Sequence, residues 1–354
     1  GLKTDDDKIV AIHNYVVKNT RYLHVGLGIH GWKPYRTSTC FRNRYGDCKD
    51  KASLLKVMLE AAGIPSNLVL VRTRRLGQVE AHPASMHVFN HAITYVPSKN
   101  LFLDGTAEFN GTTELTTMDQ GAQALIVEDG GEARLVTLPV DDASRNLMRT
   151  TLDVDLSGDE AVVRGTLEAH GANAVFFRQS LEDPERRDEA LESQLADEFP
   201  GAKLASARYQ DLSELEKPSR IEFVLQGGEL LRTDGSREFV LPMGRPKNLL
   251  DAYASRSKRS QDLVIRVPFS NQTEVRYRLP GTRKFVDTPR DTKLESKFGS
   301  LDIQYRRDGR DLLVDVKYSI DVPLVKVEDY QDFRQFLAAV TAAMNESVRV
   351  VPAQ

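Results

Sequence analysis

The stretch "RYGDCKDKASLLKVMLEAAGI", residues 44–64, carries the decision about fold. Ala52, Leu55, Leu59 and Ala62 recur at the spacing of one helical face, and Gly63 with Pro65 supplies a stop. Asp47 is a natural N-cap residue and Asp50 falls in the first turn, so the helix predicted over about residues 47–62 opens at Cys48. A helix start leaves N–H groups without carbonyl partners and presents the positive end of the dipole. Both favour an anion, and a thiol attacks only as thiolate although its ordinary pKa is about 8.5. Lys49 and Lys51 add positive charge nearby. Taken alone, Cys48 also reads as a small buried hydrophobe. Cys40 reads as an extended, structural residue in the loop "LGIHGWKPYRTSTCFRNRYG".

A catalytic thiol needs a base, and the base needs an orienting partner. The runs "NLVLVRT", "MHVFNHAITYV" and "NLFLD" read as strands, the last two joined by a hairpin at "PSKN". Alternation puts His91, Ile93 and Tyr95 on one face. An even-length loop pairs odd positions before it with even positions after it, so Asp104 lies on the His91 face, opposite or diagonal. Such pairs have Cβ atoms roughly 5–8 Å apart, within reach of an Asp–His hydrogen bond. Singly, His91 reads as a half-buried sheet histidine and Asp104 as a turn residue before Gly105. His87 has the same parity but sits at the strand's entry. His82 reads as loop, His13 as surface or packing on a first helix over residues 5–19, and His30 as a loop residue.

With these residues in order, the sequence resembles a known group. "YGDCKDKASLL", "NHAITYV" and "LFLDGT" are similar to the three motifs of bacterial transglutaminase-like proteins of the papain-like superfamily. The resemblance covers about residues 5–138. It implies an α+β protein: a transglutaminase-like catalytic core over 1–140, followed by an antiparallel β-rich domain over 141–354. It makes Cys48 the nucleophile, His91 the general base and then acid, and Asp104 the orienter. Asp47 stands where eukaryotic transglutaminases have Gln, so any role of that Gln does not transfer. Trp32, the only Trp, lies too close to Cys48 in sequence for the oxyanion Trp of that group. It is expected to line the substrate groove or to pack under its loop, and the Cys48 backbone N–H to bind the oxyanion. The implied activity is acyl transfer on peptide or glutamine amides through a thioester, as protease, amidase or transglutaminase. The alternative is a non-catalytic polypeptide-binding module of the same fold. Relatives of this kind carry an export signal and a preceding β domain, so the chain, which begins with Gly, is expected to be a fragment of an exported or periplasmic bacterial protein.

Composition narrows the partners. With 48 basic against 51 acidic side chains in 354 residues, the chain lacks the basic excess of a nucleic-acid footprint. The basic run "SRSKRSQ" reads as a solvated loop. No stretch reaches the roughly 18 apolar residues of a membrane span. No Cys/His spacing of the zinc kind occurs, and neither a metal nor another cofactor is expected. As partner, the resemblance implies a protein or peptide substrate. Past "EDGGEARLVTLPVDDAS", read as the exit from the first domain, short alternating runs separated by turn signals predict antiparallel strands, in one domain or two subdomains. Two helices interrupt them, in "PERRDEALESQLADEFPG" and "EDYQDFRQFLAAVTAAMN".

Overall fold

The computed structural model describes residues 3–24, 26–77, 85–234, 237–240 and 249–353. His82 lies outside them. The chain divides into two compact units, Gly1–Val140 and Asp141–Gln354.

In the first unit, α1 (Asp5–Asn19) opens with a capping box in which Thr4 and Asp7 satisfy each other's backbone N–H. Its buried face is Ile9, His13, Val16 and Val17, so His13 is packing. Two-residue strands β1 (Arg21–Tyr22) and β2 (Tyr45–Gly46) pair in parallel. Between them lies α2 (Thr37–Asn43), where the sequence suggested only loop. Cys40 is therefore helical and buried rather than extended. Its residues "TSTCFRN" show no apolar period that would announce a helix. Next comes α3 (Cys48–Ala61), with Leu54, Leu55 and Leu59 buried. Each such fully buried leucine contributes about 1.5–3 kcal/mol.

A five-stranded antiparallel sheet follows, formed by β3 (Asn67–Arg72), β4 (His91–Val96), β5 (Leu101–Leu103), β6 (Gln123–Val127) and β7 (Ala133–Thr137). Its spatial order is β5-β4-β3-β6-β7. The strand expected from Met86 begins only at His91, because Met86–Val88 form a 3-10 turn that leaves the strand direction. β7 falls in the stretch read as an exit from the domain. Alternation along β4 divides two cores. Thr94 donates to the Ala52 carbonyl of α3 and Val96 joins the helix-side cluster, whereas Ile93 and Tyr95 join Val69, Val71 and Ile126 on the other face.

The second unit holds β8 (Leu147–Asp155), β9 (Val162–Ala169), α4 (Ala172–Ser180), α5 (Arg187–Leu195), β10 (Ala202–Gln210) and β11 (Ser219–Gly227). Then come β12 (Arg232–Asp234), β13 (Arg237–Val240), α6 (Leu249–Ala254), β14 (Leu263–Val264), β15 (Phe269–Arg278) and β16 (Arg283–Val286). It closes with β17 (Thr292–Ser296), β18 (Gly299–Asp308), β19 (Asp311–Ile320), β20 (Leu324–Val325), α7 (Tyr330–Met344) and β21 (Val348–Pro352). The main sheet runs β10-β11-β9-β8-β15-β19-β18-β17, and a smaller one runs β12-β13-β21-β16. The expectation of antiparallel pairing needs one correction: β8 and β15 are parallel neighbours. The connection between them is long enough for the crossover that a parallel pair requires. The two helices expected here are α5 and α7; α4 and α6 are additional. A single hydrophobic cluster, from Leu152 to Val350, joins both sheets to α4 and α7. No helix among the described residues is long and apolar enough to cross a membrane.

Candidate active site

The start of α3 is fixed by carboxylates on both sides of the cysteine. Asp47 accepts the Asp50 N–H at 3.4 Å, and Asp50 Oδ2 accepts the Asp47 N–H at 3.1 Å, a reciprocal cap. Asp50 Oδ1 also accepts the Tyr35 N–H at 2.8 Å, which ties the preceding loop to the helix mouth. Gly46 packs so closely that a Cβ there would stand 2.7 Å from Asp50 Cβ and 2.9 Å from Cys40 Sγ. Gly46→Ala should therefore cost about 1–3 kcal/mol through overpacking, read as a lower urea midpoint at unchanged slope. Lys49 is paired with Asp47, and Lys51, fully buried, donates to the Thr20 carbonyl. Burial pushes the Lys51 ammonium below its ordinary value.

Register brings the other two residues together. β4 and β5 pair Thr94 with Leu103 and Tyr95 with Phe102, so Asp104 falls opposite Ile93 and diagonal to His91. His91 Nε2 meets Asp104 Oδ2 at 3.2 Å. Asp104 Oδ1 accepts the Thr106 N–H at 2.8 Å and the Thr106 hydroxyl at 2.7 Å. One carboxylate thus makes the turn and holds the histidine. Gly105 lets this turn approach α3: a Cβ there would lie 3.0 Å from Leu55 Cδ1. Cys48, half-buried at the start of α3, adds to the proton affinity of the His91 ring.

The electrostatics follow from this chain. Burial by itself disfavours a charged imidazole, but Asp104, its hydrogen bond, Cys48 and Asp119 outweigh it and hold His91 protonated well above the usual histidine range. Burial likewise works against the Asp104 carboxylate, yet His91 and Thr106 bring that group down to about 2. Burial pushes the Cys40 thiol up to about 11.

Trp32 is exposed, and its ring partner is His87, edge-on at 4.7 Å. His30 stacks on Tyr35 at 3.7 Å. Two residues of this neighbourhood escaped the sequence reading. Tyr22, whose β1 position pairs with Gly46, is raised by burial and by the charges of Cys48, Asp47 and Asp104, against His91. Asp119, fully buried, puts Oδ2 3.8 Å from His91 Nε2. No local pattern marks either one. Beside Gly46 a cavity of about 110 Å³ is lined by Leu23, Tyr35, Asn43 and Tyr45.

His91, Asp104 and Asp119 offer ligand-type atoms all within 4.8 Å of one another. The 3.2 Å contact between His91 and Asp104 is of hydrogen-bond length, and Asp104 Oδ1 is already engaged by Thr106. The group reads as a hydrogen-bonded chain. Dialysis against EDTA should leave any activity unchanged, and a loss restored by a metal would refute that assignment.

Residues 1–100 match the model of the transglutaminase-like superfamily. Residues 239–350 match DUF3858, a domain of unknown function with a solved structure. No curated protein matches the chain. Among solved structures, a candidate protease from Parabacteroides distasonis superposes with a TM-score of 0.57 at 13% identity. The match covers 99% of this chain and 53% of that one, so the chain spans about half the length of that relative. The fold is therefore a transglutaminase-like core followed by a β-rich C-terminal region.

Proposed function

We propose that this chain is a cysteine-dependent acyl-transfer enzyme acting on protein or peptide amides, with Cys48 as nucleophile, His91 as general base and acid, and Asp104 as orienter. What carries the reading is the His91–Asp104 bond of 3.2 Å, together with Cys48 at a helix start acting on the charge of the same ring. Sγ attacks the amide carbonyl carbon, and the proton given up by the thiol resides on His91. The oxyanion is met by the Cys48 N–H, a first-turn donor without an intrahelical carbonyl. His91 then protonates the departing amine, the C–N bond breaks, and a thioester remains on Cys48. A second nucleophile loses its proton to His91 and releases the acyl group, regenerating the thiol. Asp104 keeps the ring in one tautomer throughout.

Water is the acceptor we favour, because Cys48 is half-buried and the His91 side chain is 15% exposed. The structural neighbour's description as a candidate protease agrees with that choice. The exposed apolar side chains Leu23, Leu27, Ile29 and Trp32, in the segment leading to α2, suit a peptide with apolar residues beside the scissile amide. A labelled glutamine-containing peptide, incubated with and without a primary amine, tests the acceptor. Hydrolysis predicts free acid in both arms; incorporation of the amine with little free acid would reverse it to transamidation.

A further inference from the structure

Asp119 is a buried titratable group beside His91 that the reaction above leaves unused. It lies in the segment between β5 and β6 and is 0% exposed. Its Oδ2 accepts the Thr116 hydroxyl at 2.9 Å and faces His91 Nε2 at 3.8 Å. Its Oδ1 is buried with no hydrogen-bond partner. A carboxylate of Asp104 lies in the same cluster, with ligand-type atoms within 4.8 Å.

Two buried carboxylates beside one imidazole are one negative charge too many, even with the ring protonated. A buried anionic oxygen facing no donor is costly, and like charges at this range cannot both ionise freely. A proton on Asp119 removes both costs: the O–H becomes a donor, and Asp104 is the acceptor beside it. We propose that Asp119 is a positioning residue that works as a carboxylic acid, donating its proton to Asp104 and so holding that carboxylate toward His91. When the proton leaves, the added negative charge tightens the grip on the imidazolium, so the pair follows the pH of the surroundings.

The charge environment agrees. Burial pushes the Asp119 carboxyl up to about 6, with His91 opposing and Asp104 adding to the rise. The charged and titratable groups facing this cluster are His91 on β4 and Asp104 beyond β5. Tyr22 on β1 and Lys51 on α3 act on the Asp104 side. The Arg74 backbone N–H donates to the Met118 carbonyl, and a Cβ at Gly121 would stand 4.0 Å from Arg74 Nε. Thr116 supplies a side-chain hydroxyl to Asp119.

The catalytic meaning of this inference rests on the reading of the preceding subsection; the shared proton does not. The test uses the full chain in a Cys48→Ala background, with nitrogen-15 NMR of the His91 imidazole followed across pH. An inflection near pH 6 separate from the ring's own titration is expected, and it should vanish in Asp119→Asn, which keeps a neutral donor. In the Cys48 enzyme, Asp119→Asn should lose the matching step from the kcat/KM profile and lose less activity than Asp119→Ala. An inflection that survives Asp119→Asn, or Asn and Ala variants that behave alike, would overturn the proposal. So would a His91 shift on adding stoichiometric Zn2+ that Asp119→Asn abolishes, since that would assign a metal cluster. If no acyl-enzyme forms while the inflection behaves as described, the proposed reaction falls and this inference stands; the reverse pattern separates them the other way.

Discussion

Cys48→Ala is expected to fold normally and to lose kcat/KM on any peptide substrate by about 10,000-fold or more, since removing the nucleophile leaves only binding and oxyanion contributions. The fold should survive because the helix cap is made by Asp47 and Asp50, not by the cysteine. Cys48 is also only half-buried, so little packing is lost. Urea midpoints equal to wild type would establish that the loss is chemical. Cys40→Ala provides the contrast. That thiol is 2% exposed inside the cluster formed by Ile9, Val16 and Leu54, and its removal should lower stability by about 1 kcal/mol while the adduct on Cys48 still forms. Loss of the adduct in Cys40→Ala, with Cys48→Ala still active, would exchange the roles of the two cysteines.

Asp104→Asn should lower kcat by about 100- to 10,000-fold and move the alkaline limb of kcat/KM to lower pH. His91 owes its raised proton affinity to this carboxylate against the opposing effect of burial. Without it the ring surrenders its proton at a lower pH, and the imidazolium needed to protonate the leaving amine is lost earlier. Stability follows the same pair. The raised His91 contributes fully below its unfolded value of about 6.5 and fades as pH rises through its folded value. The depressed Asp104 contributes above its ordinary 3.8 and fades as pH falls through about 2. The stability gap between wild type and Asp104→Asn should therefore be widest between about pH 4 and 6.5, closing below that as pH falls through about 2 and narrowing above it as His91 deprotonates. Urea midpoints collected from acid to neutral pH check this, and a gap independent of pH would contradict the assigned pair.

Local signals account for what the sequence disclosed of this site. The cap at Asp47, the stop at Gly63 and the apolar period between them define α3 within a residue or two. The four-residue connection from Pro97 to Asn100 carries the parity that sets Asp104 diagonal to His91. Where the chain lacks a period, reading failed. α2 is seven residues long and held by the carbonyl of Arg36 and by packing of Cys40, neither of which leaves a pattern. The β8–β15 pair joins segments more than a hundred residues apart, and parallel partners so distant leave no turn signal to read. Asp119 sits in an irregular segment whose path depends on tertiary contacts, so its approach to His91 could not be counted from spacing. Tyr22 reaches the site only because β1 pairs with β2 immediately before the cysteine.

The proposed chemistry requires a covalent bond to one sulfur. Intact-mass analysis after rapid acid quench of the enzyme with a peptide amide measures it directly. The wild-type chain should gain the mass of the acyl portion, mapped to Cys48 and released by neutral hydroxylamine, and Cys48→Ala should gain nothing. Peptide turnover by Cys48→Ala at the wild-type rate, or an acyl group mapped to another residue, would contradict it.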